Sequence, residues 1–252
     1  MIIANRTEEL RLFNQMVQGS FGKRVLLIEA KSGLGKTQLL ALFQHSLPKN
    51  ILCVPVDLKT AQRGIPYIFS CVRKRLGEER FSRLNAAVGQ YLKSGIEVSD
   101  TRMTGNDNQL SVVLSNVDES TRNFRLTELR EAFFQDLRKI PQTLVFLFDS
   151  YEKAVTELAN WLGGEFLADV VDTPKLIVVI AGQQIPQPTI EWMNLHHCCC
   201  LEAISEANAW YDYTQKAGLR LNIDQVKTTM RICGGQPASI VQWLETLAKE
   251  GQ

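Results

Sequence analysis

The sequence predicts an α/β fold: a five-stranded, mainly parallel sheet sandwiched by helices, with a small helical domain at its carboxyl end. Three observations point there. Short apolar runs without strict alternation recur at residues 24–29, 51–56, 143–148, 175–181 and 195–201, the pattern of strands buried on both faces. Segments with apolar residues at helical spacing separate most of them. After Leu201 only helical patterns follow, at 205–216, 223–232 and 238–249. That change of character predicts a boundary near 203, between a core of 1–203 and a helical lid of 204–252.

The bulk properties fit one large domain with a small appendage. The chain has 252 residues, of which 45% are hydrophobic, enough to bury a sizeable core. Its net charge is +1, so no strong field favours nucleic acid, which is not an expected partner. The run Arg73-Lys74-Arg75 reads as a solvated helix face. No stretch approaches the ~18–20 apolar residues that span a bilayer, so no membrane contact is expected. The amino terminus turns polar too early for a signal peptide, and a cytoplasmic location is expected. The cysteines at 53, 71, 198, 199, 200 and 233 then read as free thiols. The run His196-His197-Cys198-Cys199-Cys200 lies on a strand, so neighbours point to opposite faces and cannot converge on one ion.

The elements follow in order. Asn5 with Glu8 resembles a helix cap, and Leu10, Phe13 and Val17 continue at helical spacing until Gly19 and Gly22. Strand 24–29 precedes a helix at 37–47, stopped by Pro48, and strand 51–56 comes next. Helices are predicted at 66–76 and 78–92, the second with Phe81, Leu84, Val88 and Tyr91 on one face. Residues 97–123 are rich in Ser, Asn, Asp and Thr and read as a long surface insertion. An amphipathic helix is predicted at 126–140, strand 143–148 is the most apolar, and a helix at 152–166 follows it.

Between the first strand and its helix stands Ala30-Lys31-Ser32-Gly33-Leu34-Gly35-Lys36-Thr37. It matches the phosphate-loop pattern G-x-x-x-x-G-K-[ST], with Ala30 in place of the first glycine. Gly33 and Gly35 let the backbone curl so that successive N–H groups face phosphate oxygens. The helix start adds partial positive charge there. Lys36 can bridge the β- and γ-phosphates and the Thr37 hydroxyl can ligate Mg²⁺.

The second acidic element is Leu144-Val145-Phe146-Leu147-Phe148-Asp149-Ser150-Tyr151-Glu152. A buried strand ending in Asp149 places a carboxylate at the sheet edge where ligands bind in such folds. Asp149 reads either as a Mg²⁺ ligand or as a strand-ending turn residue, and the phosphate loop favours the metal. Glu152 reads either as a general base for the attacking water or as a first-turn acid that suits the helix dipole.

With these motifs the chain resembles the STAND class of P-loop ATPases, AAA+-related signal-transduction NTPases, in its bacterial form. Ile3-Ala4-Asn5-Arg6-Thr7-Glu8-Glu9-Leu10 is similar to the class's opening motif, with Asn5 where glycine is usual. Asp149-Ser150-Tyr151-Glu152 is similar to its D-x-x-E motif, and Gly234-Gly235-Gln236-Pro237 to its G-x-P motif. The resemblance spans nearly the whole chain. It implies ATP or ADP with Mg²⁺ in a site built from residues 30–37 and Gln38, with Ile3 and Arg6 beside adenine and ribose. Pro237 closes over the base; the other reading of Gly235 and Pro237 is simple helix punctuation. Where the class often has a phosphate-sensing arginine, this sequence has Gly182-Gln183-Gln184. Gln183 can hydrogen-bond a phosphate but cannot neutralise it, which implies slow hydrolysis. The additional domains that usually accompany this core are expected on another polypeptide or not at all.

The function so implied is a slow ATPase switch that controls self-association or a protein partner. A nucleotide-locked binding module without turnover is the first alternative. An AAA+-like DNA-associated ATPase is the second, disfavoured by the near-neutral charge.

Overall fold

A computed structural model describes residues 3–61, 64–95 and 106–250. Helix α1 (Thr7–Val17) leads to strand β1 (Val25–Glu29), helix α2 (Lys36–Ser46) and strand β2 (Leu52–Asp57). Helices α3 (Ile65–Leu76), α4 (Ser82–Gly95), α5 (Asn106–Ser115) and α6 (Glu119–Arg138) come before strand β3 (Leu144–Asp149). Helices α7 (Thr156–Trp161) and α8 (Leu167–Val171) precede strand β4 (Leu176–Gly182) and strand β5 (His196–Cys200). The chain finishes in α9 (Ala207–Lys216), α10 (Ile223–Cys233) and α11 (Pro237–Glu250).

The five strands form one sheet in the order β2-β3-β4-β1-β5, and every pairing is parallel. Side chains alternate across it as a period of two requires. Val25, Leu27, Phe146, Phe148, Val178 and Ile180 face one apolar layer, built mainly from α3 to α8. Leu26, Ile28, Val145, Leu147, Ile177 and Val179 face the other, with Phe13 of α1 and Leu39 and Phe43 of α2. The rings of Phe13 and Phe43 stack with centroids 4.2 Å apart. A third cluster belongs to the carboxyl-terminal helices, around Trp210, Val226, Ile240 and Leu244, and Ala4 joins it from the amino end.

Several expectations change. Helix α1 has no side-chain cap; Asn5 adopts φ 34° and its amide donates to Glu206 at 3.3 Å. The insertion read at 97–123 carries helix at Asn106–Ser115 and again from Glu119. Leu110 and Leu114 of α5 are buried, an i, i+4 pair hidden among polar residues. Asp118 caps α6 by accepting from Thr121 N at 3.0 Å, so that helix begins at 119 rather than 126. Residues 97–105 of that insertion lie outside the described residues.

The helix expected at 152–166 is broken into a 3₁₀ turn at Tyr151–Lys153, α7, and a π turn at Leu162–Phe166. The π turn contains Gly163, whose carbonyl accepts from the buried Trp192 Nε1 at 2.9 Å. A Cβ at Gly163 would come within 2.9 Å of Pro186 Cβ. This glycine therefore lets the loop after β4 lie against the helical layer.

Asp136 of α6 is fully buried. Its Oδ2 accepts from the N–H groups of Arg83 and Leu84 at 2.9 and 3.0 Å, so a carboxylate from another helix satisfies the donors that open α4. Asp136→Ala should cost about 2 kcal/mol by leaving these donors unpaired, measured as a lower urea midpoint at unchanged slope.

Candidate functional site

Parallel strands bring their carboxyl ends to one edge. Here β1 runs into the phosphate-loop segment, β4 into Gln183, and β3 into Asp149. Gly33 and Gly35 have φ of 82° and 88°, the left-handed region that glycine enters without penalty. Ala30 is not among the residues of positive φ, so alanine serves where the pattern has glycine. Ala30 N donates to Gly182 O at 3.0 Å, joining the loop to β4. Lys36 Nζ folds back onto the carbonyl oxygens of Ala30 and Lys31, at 2.5 and 2.9 Å, and closes the loop into a ring.

Behind the loop, the first N–H groups of α2 have no partner within the helix. They add a positive end to the cradle. Thr37 Oγ1 donates to Asp149 Oδ2 at 2.6 Å, which brings the two expected metal ligands into contact across 112 residues. A hydroxyl and a carboxylate are the hard oxygen donors that Mg²⁺ prefers, so the residues present suit that ion.

Directly after Asp149, Ser150 is buried with φ 63°, a conformation that costs a non-glycine residue about 1 kcal/mol or more. The turn it makes brings Glu152 to the same edge as Asp149. Glu152 Oε2 accepts from Gln183 N at 2.8 Å and Oε1 from Gln183 Nε2 at 3.2 Å. Burial alone pushes the Glu152 carboxyl up, but these donors and the Lys36 charge outweigh it and hold the pKa below the usual value. Lys36 is shifted down. Burial is the main cause, Glu152 and Asp149 pull it back up, and Lys59 pushes it further down.

These groups line a cleft of about 530 Å³, within the ~300–1,000 Å³ of small-molecule sites. Its lining combines the loop and sheet-edge residues Ser32, Gly33, Gly35, Lys36, Thr37, Asp149, Glu152 and Gln183 with apolar Ile3, Ile204, Trp210, Pro237 and Val241. The helical segment thus forms one wall. Its hold on the loop is direct, since Ala238 N at the start of α11 donates to Gly33 O at 3.2 Å.

Of the expected site residues, Ile3, Arg6, Ser32 to Gln38, Asp149, Glu152, Gln183 and Pro237 line this cleft. Ala30 and Lys31 do not, and contribute carbonyls to Lys36 instead. Arg6 is present but committed. Its guanidinium donates to Leu34 O and Glu202 O, both at 3.0 Å, and pairs with Glu9 at 3.2 Å. Only 8% of that side chain is exposed. It therefore ties α1 and the loop to the segment leading into the helical lobe. Lys59, Trp210, Tyr213 and Glu245 also line the cleft without having been singled out in the sequence. Of these only the Asp57-Leu58-Lys59 turn, at the end of a strand, carries a local signal.

No family model matches the sequence, and no curated protein does either. Solved structures do match. A Walker-type ATPase of Pyrococcus abyssi superposes with a TM-score of 0.57 at 13% identity, over 99% of this chain and 69% of its own. A STAND protein (signal transduction ATPase with numerous domains) with a tetratricopeptide repeat sensor, from Pyrococcus horikoshii, gives 0.56 at 12%, over 94% of this chain and 29% of its own. The fold is that of the P-loop NTPases. A third match, the Aeropyrum pernix ORC1 protein in complex with DNA, scores 0.49 at 12% identity, over 98% of this chain and 59% of its own, too low to add to this.

Within this P-loop fold the Glu152–Gln183 contact depends on a bare backbone at Gly182. A Cβ there would sit 2.2 Å from Gln184 O and 3.1 Å from Glu152 Oε2. Gly182→Ala should displace both neighbours and destabilise the fold by about 1–3 kcal/mol. Thermal unfolding of the variant beside Gly164→Ala checks it, since a Cβ at Gly164 meets nothing within 4 Å.

Proposed function

We propose that this chain binds ATP with Mg²⁺ in the cleft between the sheet and the carboxyl-terminal helices, and hydrolyses it slowly. We further propose that residues 1–203 and 204–252 act as core and lid. The state of the terminal phosphate would set how the lid rests on the loop, and so control self-association or a protein partner. The observation that carries this reading is the meeting of Lys36, the Thr37–Asp149 pair and Glu152 in one cleft that α11 overhangs through its bond to Gly33.

Each residue has a task in this reading. The loop N–H groups and Lys36 cradle the phosphates and balance their charge. Thr37 and Asp149 hold Mg²⁺, which supplies further neutralisation of the phosphate oxygens. Glu152 orients the attacking water and takes its proton. Gln183 bonds to Glu152 and lies where it can also meet the terminal phosphate. Ile3 and Pro237 belong to the apolar part of the lining, which suits a base.

A second reading, a nucleotide-locked module without turnover, draws on one observation. Both oxygens of Glu152 already accept hydrogen bonds from Gln183, and a carboxylate so engaged is a poor base.

One experiment separates these. The purified protein is denatured, released nucleotide is identified, and phosphate release is measured with ATP and Mg²⁺. The wild type should release adenine nucleotide and turn over slowly. Lys36→Ala should weaken binding by about 10- to 100-fold, the loss of one charge-assisted contact. Glu152→Gln should keep its nucleotide and lose about 100-fold or more in turnover. Bound nucleotide with no turnover in the wild type selects the locked module. A wild type that neither carries nor takes up nucleotide overturns both readings.

A further inference from the structure

We infer that Lys59 is a phosphate-contacting residue of this cleft, meeting the terminal phosphate of a nucleoside triphosphate and making the site prefer triphosphate to diphosphate. This rests on the ATP reading above and adds to it the group that distinguishes the two nucleotides.

Among the described residues, the cations that line the cleft are Arg6, Lys36 and Lys59. The guanidinium of Arg6 is spent on Leu34 O, Glu202 O and Glu9. Lys36 bonds to the loop carbonyls of Ala30 and Lys31 and shares the cleft with two carboxylates, Asp149 and Glu152. A triphosphate brings more negative charge to the same cleft. Gln183 can offer it a hydrogen bond but no charge. Lys59 is exposed, and among the described residues no carboxylate lies within ion-pair distance of it. It lines the same cleft as Lys36.

Position supplies the selectivity. Strand β2 lies beside β3, on the side away from β1, with Asp57 in register with Asp149. The turn Leu58–Thr60 therefore stands beyond Asp149 as seen from the phosphate loop. A phosphate chain that starts in the loop and runs past the Thr37–Asp149 pair brings its last group nearest Lys59. The turn is fixed: Lys59 N donates to Asp57 Oδ1 at 3.0 Å, and Thr60 Oγ1 donates to Asp57 O at 2.8 Å. Thr60 also shares a 2.9 Å hydrogen bond with the Tyr67 hydroxyl. The flexible ammonium thus hangs from an anchored backbone.

The test titrates ATPγS and ADP, each with Mg²⁺, into full-length wild type, Lys59→Ala, Lys59→Arg and Lys36→Ala, by calorimetry. Circular dichroism checks that each variant is folded. Lys59→Ala should lose about tenfold or more in ATPγS affinity, the scale of one charge-assisted contact, while its ADP affinity stays within about twofold of wild type. Lys59→Arg should restore most of the ATPγS affinity, because the charge is kept. Lys36→Ala should weaken both nucleotides. Unchanged ATPγS affinity in Lys59→Ala overturns the assignment and leaves the ATP reading standing. Equal loss of both nucleotides without rescue by arginine overturns it too, and makes Lys59 a merely structural residue. A wild type that binds neither nucleotide sinks the ATP reading itself, and this inference with it.

Discussion

The amino end of α2 leaves its first backbone donors without helical partners, and the surrounding structure is arranged about that end. A helix end of this kind wants an anion or a cap. No side chain caps it here, for Gly35 stands at the cap position in the left-handed conformation. The loop before it curls under the Lys36 bonds to Ala30 and Lys31, so the lysine charge sits at the same point as the free donors. Burial of Leu39, Leu40 and Phe43 against the sheet fixes the helix axis. The positive end is then held rigidly at the sheet edge.

The negative groups are arranged to answer this. Asp149 reaches Thr37, and Glu152 turns toward Gln183 through the strained Ser150. Each carboxylate thus has a defined donor, which keeps two anions stable at the rim of an apolar sheet. The helical lobe adds a different kind of contact. Its helices share a cluster around Trp210 and Ile240 that Ala4 of the amino end joins, and hydrogen bonds tie it to the rest, Ala238 to Gly33 and Asn5 to Glu206.

Local motifs were legible in the sequence because their chemistry is confined to a few consecutive residues. The loop from Ala30 to Thr37 needs its glycines and its lysine at fixed steps, and the strand before it and helix after it follow from apolar spacing alone. Strand β3 ending in Asp149 was legible for the same reason. The α5 helix was not, since its buried pair Leu110 and Leu114 sits among polar residues whose composition resembles a loop. The π turn at Leu162–Phe166 was also hidden, because it depends on Trp192 reaching Gly163 from 29 residues away.

What the sequence determined by itself is the phosphate loop, the acidic strand end and the alternation of strands and helices, each written in neighbouring residues. What only the tertiary structure decided is which of these face one another. The order β2-β3-β4-β1-β5 inserts β4 between the loop and the acidic strand, and so sets Gln183 against Glu152. It brings Lys59 to the cleft from the edge strand and commits Arg6 to backbone carbonyls that belong to two other segments. Such contacts join residues 28 to 196 positions apart. Strand order follows from how the whole sheet buries its two faces, and no local run of residues encodes it.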